Sequence, residues 1–187
     1  MAQRLIVGIS GASGIIYGLR ALQLLRDCGV ETHLVISKSA KLTLHYEMDM
    51  PLEELESLAS EVYPTSNVGA TIASGSFKTG GMLVAPCSVR TLSEIATGVT
   101  STLLTRAADV VLKERRRLVL MVRETPLHTG HLRSMTALSE MGAIIAPPVP
   151  AFYTRPASLD EMVTQTVGRA LDLFDLDHEQ VKRWQGD

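Results

Sequence analysis

RLIVGISGASG, residues 4–14, joins a short apolar run to a cluster of glycines. Arg4 to Ser10 is rich in branched side chains and lacks polar alternation, the pattern of a strand covered on both faces. Gly8, Gly11 and Gly14 then give the chain a turn, and from Ile15 to Leu25 the apolar residues Ile15, Ile16, Leu19, Leu22 and Leu25 recur at helical spacing. Asp27 to Gly29 supply the stop. A buried strand, a glycine loop and an amphipathic helix in immediate succession open a parallel α/β unit.

Working outward, the pattern repeats. Thr32 to Ile36 reads as a second strand, and Ser37-Lys38-Ser39 starts a second helix that runs to about Glu47. Residues 50–78 are the least regular, with Glu53, Glu54, Glu56 and Glu61 followed by the turn-formers Pro64, Ser66, Asn67 and Gly69, and they predict surface loops and a short helix. Gly81 to Ala85 is a third strand, followed by Pro86-Cys87-Ser88 and a helix from Val89 to Thr97. A helix over about Leu103 to Glu114 precedes a fourth strand, Leu118 to Val122. Then come a helix from about His131 to Met141, a strand at Ala143 to Ala146, the proline-rich PPVPAFYTRP and a last helix from Leu159 to Phe174. Ser158 and Glu161 form a capping box at its start. Strands alternating with helices predict one doubly wound α/β domain over 1–187, built on a mainly parallel sheet.

Composition narrows the function classes. A chain of 187 residues that is 45% apolar can build a substantial core, and a net charge of −2 offers little to a nucleic-acid backbone. Cys28 and Cys87 stand far apart with no CxxC or Cys/His ligand spacing, which argues against a disulfide framework or a zinc site and fits a cytoplasmic protein. The N-terminal apolar run breaks at glycines, too short for a membrane span, and reads as mature protein.

In such sheets ligands bind beyond the carboxyl ends of the strands, so the loops there are the places to search. GASG at 11–14 offers backbone N–H groups and the Ser13 hydroxyl to a phosphate, although its GxxGxxG spacing does not support a dinucleotide and a tight turn alone would also explain it. Ser37 closes its strand in ISKS, and Ser88, Thr91 and Ser93 cluster in PCSVRTLS, where hydroxyls serve equally as helix caps or as ligand donors. Arg123 and Glu124 emerge together after a buried strand, an arrangement costly unless paired or used. Cys87 is read as a buried apolar residue, and His128 and His131 lack a third metal ligand. Arg106 and Lys113 share a helix face, and Arg169 borders the apolar face of the last helix; with Arg123 these cations suit a phosphate if the fold gathers them.

These segments together resemble one family over nearly the whole chain, the UbiX flavin prenyltransferases, some of whose members are called aromatic acid or phenylacrylic acid decarboxylases. The likeness rests on IVGISGASG at 6–14, ISKSA at 36–40, PCSVRTLS at 86–93, LLTRAADVVLKERR at 103–116, LVLMVRETPLHTGHLRSM at 118–135 and PPVPAFYTRPASLDEMV at 147–163. Residues 50–80 match least, and Arg117 stands where many relatives have proline. The resemblance implies a Rossmann-like, flavodoxin-related fold that binds FMN and assembles as a dodecamer with active sites between subunits. It implies that dimethylallyl phosphate alkylates reduced FMN at N5, that a bond to C6 closes a fourth ring, and that prenylated FMN passes to a UbiD-type decarboxylase. FMN contacts fall on Gly11, Ala12, Ser13, Ser37, Ser88, Val89, Arg90, Thr91 and Arg123. The prenyl phosphate falls to Tyr153 and Arg169, with Lys113 and Arg106 nearby, and the catalytic set is Glu47, Glu124, Ser13 and Lys113. Three other readings compete: direct decarboxylation of an aromatic acid, the fold-related cysteine decarboxylases, whose PxMN motif is replaced here by PCSV, and a noncatalytic FMN carrier.

Overall fold

A strand with branched side chains on both faces needs cover on both, and the chain supplies it by winding outward from β1 (Arg4–Ile9) in two directions. The computed structural model describes residues 3–176, 178–179 and 181–184. After β1 come α1 (Ile15–Asp27), β2 (Glu31–Ile36), α2 (Lys38–Glu47), α3 (Leu52–Glu56) and β3 (Glu61–Tyr63). The chain then returns through β4 (Gly81–Cys87), α4 (Val89–Ala96), α5 (Leu103–Lys113), β5 (Arg117–Val122), α6 (Thr129–Glu140), β6 (Ile144–Ile145) and α7 (Leu159–Leu171). The strands lie side by side in the order β3-β2-β1-β4-β5-β6. Every pairing is parallel, with Ile6 opposite His33 on one side and opposite Met82 on the other.

Strand alternation divides the core into two layers. Leu5, Val7 and Ile9 of β1 face α1 and α7, where they meet Leu19, Leu22, Val167 and Leu171. Ile6 of the same strand joins Met82, Val84, Leu118 and Leu120 beneath α4, α5 and α6, against Leu92, Leu104, Ala107 and Leu138. Gly18 is the point of closest approach on the first layer, since a Cβ there would lie 2.5 Å from the Ala85 carbonyl oxygen. Successive connections leave β1 for β2 and later re-enter at β4, so the winding reverses between β1 and β4, and the crevice at their carboxyl ends is where such sheets take a ligand.

The structure departs from the sequence reading in several places, including α7, which ends at Leu171 and not Phe174, and β6, which is Ile144–Ile145 and not 143–146. β3 went unrecognised because it is a three-residue edge strand with an exposed glutamate at its start, too short for any periodicity. β4 runs through Cys87, two residues beyond the expected end. α6 begins two residues early, at Thr129, because the His128 side chain accepts the N–H groups of Gly130 and His131 and so caps it. At α7, Ser158 accepts from the Glu161 N–H at 3.1 Å, but the Glu161 carboxylate reaches back to the N–H of Ala157, one residue before the position a capping box requires. Among the described residues no helix is long and apolar enough to cross a membrane.

Candidate active site

Ser10, fully buried, is the knot at the switch point. Its hydroxyl donates to the Pro86 carbonyl at 3.0 Å and accepts the Ser88 N–H at 2.7 Å, so the ends of β1 and β4 are held in a fixed relation. From there Ser88 caps α4 by accepting the Thr91 N–H at 3.2 Å. Ser37 caps α2 through the Ala40 N–H at 3.0 Å. Thr102 and Thr105 form a reciprocal capping box at the start of α5. The start of α5 is pinned to the loop after β3, where the Thr65 carbonyl accepts the Leu103 N–H at 2.8 Å. Three helix starts therefore border one cavity of about 380 Å³, lined by the hydroxyls of Ser37, Ser39, Thr65, Ser88, Thr91, Thr102 and Thr105 together with Lys38, Arg90 and the Glu94 carboxylate, whose charge Arg90 meets. Each start presents the positive end of a helix dipole and N–H groups that favour an anion or the electron-rich edge of a ring. Its volume falls in the range of small-molecule sites, roughly 300–1,000 Å³.

The glycine loop does something other than the sequence suggested. Gly14 gives its N–H to both carboxylate oxygens of Glu47, at 2.9 and 3.1 Å, and Ile15 gives its own at 3.0 Å. Of the GASG amides read as facing a phosphate, that of Gly14 is thus taken by a carboxylate of the same chain. Burial alone would push the Glu47 carboxyl up, but the Ser13 hydroxyl, the Ile15 and Gly14 amides and the Arg123 charge together hold it below the usual carboxylate value. Glu47 is therefore ionised at neutral pH. The loop also packs on the first turn of α2, since a side chain at Gly11 would run into Ser39, which itself lines the cavity; Glu47, at the far end of α2, borders a separate hollow with His45, Tyr46 and Asp49.

Arg123 and Glu124 part company. The Arg123 N–H is tied to the Cys87 carbonyl at 2.9 Å and its charge acts on Glu47, whereas Glu124 is exposed and accepts the N–H of its neighbour Thr125. Cys87 is buried without a base, and desolvation pushes its thiol up to about 12, which removes it as a nucleophile. Val89 and Arg90 occupy the first turn of α4, where Arg90 is exposed and paired with Glu94 at 3.0 Å.

The four residues assigned to a prenyl phosphate are not gathered by one chain. Arg106 lies in the first turns of α5, bonded to Asp109 at 2.8 Å. Lys113 closes that helix and pairs with Glu114. At 1.5 Å per residue it stands about 15 Å from the helix start that borders the cavity. Arg169, on α7, pairs with Asp172 and edges a smaller apolar hollow of about 150 Å³ beside Met121, Pro147 and Ala151. Tyr153 is exposed on a 3-10 turn, its ring edge-on to Trp184 with centroids 5.6 Å apart. The sequence reading missed Ser10, Thr65 and the Thr102–Thr105 pair. The last was open to discovery as a Thr-x-x-Thr at a helix start, but Thr65 was hidden with the unrecognised β3.

A hydroxyl-lined cavity at the switch point of a parallel sheet, fed by three helix starts, suits a phosphate-bearing ligand, and a family model described as Flavoprotein matches residues 1–170. A flavin prenyltransferase UbiX of Escherichia coli (strain K12) is 59% identical over 187 residues, covering 98% of this chain and 99% of the relative. The chain belongs to the UbiX flavin prenyltransferase family. A solved UbiX in complex with FMN and dimethylallyl pyrophosphate superposes with a TM-score of 0.98 at 47% identity, covering 100% of this chain and 99% of the other. A dodecameric FMN-dependent UbiX-like decarboxylase from Escherichia coli O157:H7 gives a TM-score of 0.96 at 49% identity, over 98% and 100% of the two chains.

Proposed function

We propose that this chain joins a dimethylallyl group from dimethylallyl phosphate to N5 and C6 of reduced FMN, giving prenylated FMN for a UbiD-type decarboxylase in the cytoplasm. The observation that carries the reading is the convergence of α2, α4 and α5 on one cavity, because a flavin mononucleotide combines a phosphate with a polar ring edge and those helix starts suit both. Ser37, Ser88, Thr91 and the first turn of α4 with Val89 and Arg90 would hold it, and Gly11, Ala12, Ser13 and Arg123 are assigned to it on the family resemblance. Reduced FMN supplies the nucleophile.

The protein's part is electrostatic. As the allylic C–O bond breaks, negative charge gathers on the departing phosphate and positive charge on the allyl unit. Arg169, Lys113 and the Tyr153 hydroxyl answer the first. Glu47, kept ionised by the α1 amides and Arg123, is assigned to the second and is unsuited to be a resting proton donor. Glu124, exposed and outside the α1 cap, is left to handle the proton released from the flavin. Because Lys113 lies so far from the cavity of its own chain, the donor site is completed between subunits, with Arg106 at the same face. The dodecameric relative supports such an assembly.

Anaerobic incubation of the purified protein with reduced FMN and dimethylallyl phosphate tests the reading. Mass spectrometry should find a flavin heavier by one five-carbon unit, and no CO2 should leave a phenolic or cinnamic acid until a separate decarboxylase is added. Decarboxylation by the protein alone, with FMN unmodified, would establish the competing activity instead.

A further inference from the structure

Arg169 does not stand free. Its Nη1 is bonded to Asp172, one helical turn on, and Asp172 is only 13% exposed although it carries a charge. The same carboxylate is gripped from the other side by the C-terminal segment: Arg183 places Nη1 on Oδ2 and Nη2 on Oδ1, both at 2.9 Å, and His178 Nε2 stands 3.2 Å from Oδ1. That segment is itself fastened to α7. Lys182 gives its N–H to Gln165 Oε1 at 2.9 Å and takes the Gln165 amide on its carbonyl at 3.0 Å, while His178 Nε2 also meets the Gly168 carbonyl at 3.0 Å. Gly168 is needed for this fit, because any side chain there would run into Val181 and His178.

The arrangement argues against an ordinary surface pair. A guanidinium on a long flexible stem loses rotamer freedom when it grips an anion, and a neighbour that holds it beforehand lowers that cost. A single carboxylate can instead compete with the anion for the cation. Here the Asp172 charge is already met by the two-pronged contact from Arg183, and Arg169 spends only Nη1 on it, so the remaining N–H groups of its fork stay available to a phosphate.

We propose that Asp172 is a positioning residue for prenyl transfer: it sets the Arg169 guanidinium for the phosphate of the donor and is itself set by Arg183 and His178 of the C-terminal segment. This rests on the assignment of Arg169 to the donor phosphate. Trp184 of the same segment leans edge-on against Tyr153, so the segment touches both α7 and the turn that carries the second donor-site residue.

Steady-state kinetics of prenyl transfer, with dimethylallyl phosphate varied at saturating reduced FMN, test this in Asp172→Asn, Arg169→Ala and the double variant. Asp172→Asn should raise KM for dimethylallyl phosphate about two- to tenfold, the cost of ordering one long side chain, and leave FMN affinity unchanged. Asp172→Glu should recover most of that loss. In the Arg169→Ala background the Asp172 change should add nothing, because the two act as one unit. An equal loss in both backgrounds, or a lower KM in Asp172→Asn, overturns the positioning role while leaving Arg169 assigned. An unaltered KM in Arg169→Ala overturns that assignment and the proposal with it. Should Asp172→Asn fail to fold by circular dichroism, Arg183→Gln replaces it. It should raise KM for the donor in the wild-type background only, and a rise in the Arg169→Ala background would sink the proposal.

Discussion

Replacing Glu47 by glutamine tests the central electrostatic feature of the glycine loop. In the native chain the carboxylate accepts the Gly14 N–H on both oxygens, the Ile15 N–H on one and the Ser13 hydroxyl, at the positive end of α1. Glutamine keeps one acceptor oxygen and loses the charge. Losing one amide acceptor costs about 0.5–1.5 kcal/mol. Losing the charge at the helix start costs about 0.3–1 kcal/mol, the low end applying because Glu47 is exposed and solvent-screened. The sum is about 1–2 kcal/mol, or about 2–8 °C in Tm for a chain of this length. The sign with pH follows from the lowered carboxyl. A group whose folded value lies below its ordinary 4.5 contributes fully above that value and loses its contribution as pH falls through the folded one. Urea unfolding of the wild type and Glu47→Gln at fixed protein concentration should therefore show the full gap at pH 7 and a shrinking one as pH falls below 4.5. No gap at pH 7, or a gap indifferent to pH, would refute the assignment of Glu47 as the cap of α1.

Ser10→Ala should destabilise by about 1 kcal/mol, because the half-buried Ser88 N–H loses its acceptor, and should weaken FMN binding as the α4 start loosens; titration calorimetry against FMN and a urea curve check both. Lys113→Ala and Arg169→Ala should each lower kcat/KM for dimethylallyl phosphate by an amount worth about 1.5–3 kcal/mol while sparing FMN affinity. If the donor site forms between subunits, unfolding and co-refolding the two weakened variants should return part of the lost activity, and no return at any mixing ratio would place both residues in one chain's site. Cys87, buried with its thiol pushed up to about 12, should escape iodoacetamide in the native protein at pH 8 and react in urea, as read by peptide mass spectrometry.

The parallel α/β layout was legible in the sequence because buried strands and amphipathic helices leave periodicities of their own, and RLIVGISGASG followed by a helix showed both the strand and the turn. The hydroxyls of Ser37, Ser88 and Thr91 were legible too, since a strand-to-helix junction in such a sheet falls at its ligand-binding edge. Tertiary structure alone decided the rest. Glu47 stands 33 positions after Gly14, and nothing local reveals that its carboxylate takes the Gly14 amide of the loop read as facing a phosphate. Arg123 and Glu124 are adjacent in the chain, yet strand geometry turns one charge towards Glu47 and leaves the other on its own loop. A three-residue edge strand has no period to detect, so β3 and the cavity residue Thr65 behind it were lost together. Lys113 shares a helix face with Arg106, which spacing predicts, but its distance from its own chain's cavity depends on where α5 begins, and that is fixed by the bond between Leu103 and Thr65 across 38 residues of chain. Local sequence sets element type because neighbours in the chain share a periodic environment. The meeting of distant charges is set by how the elements pack.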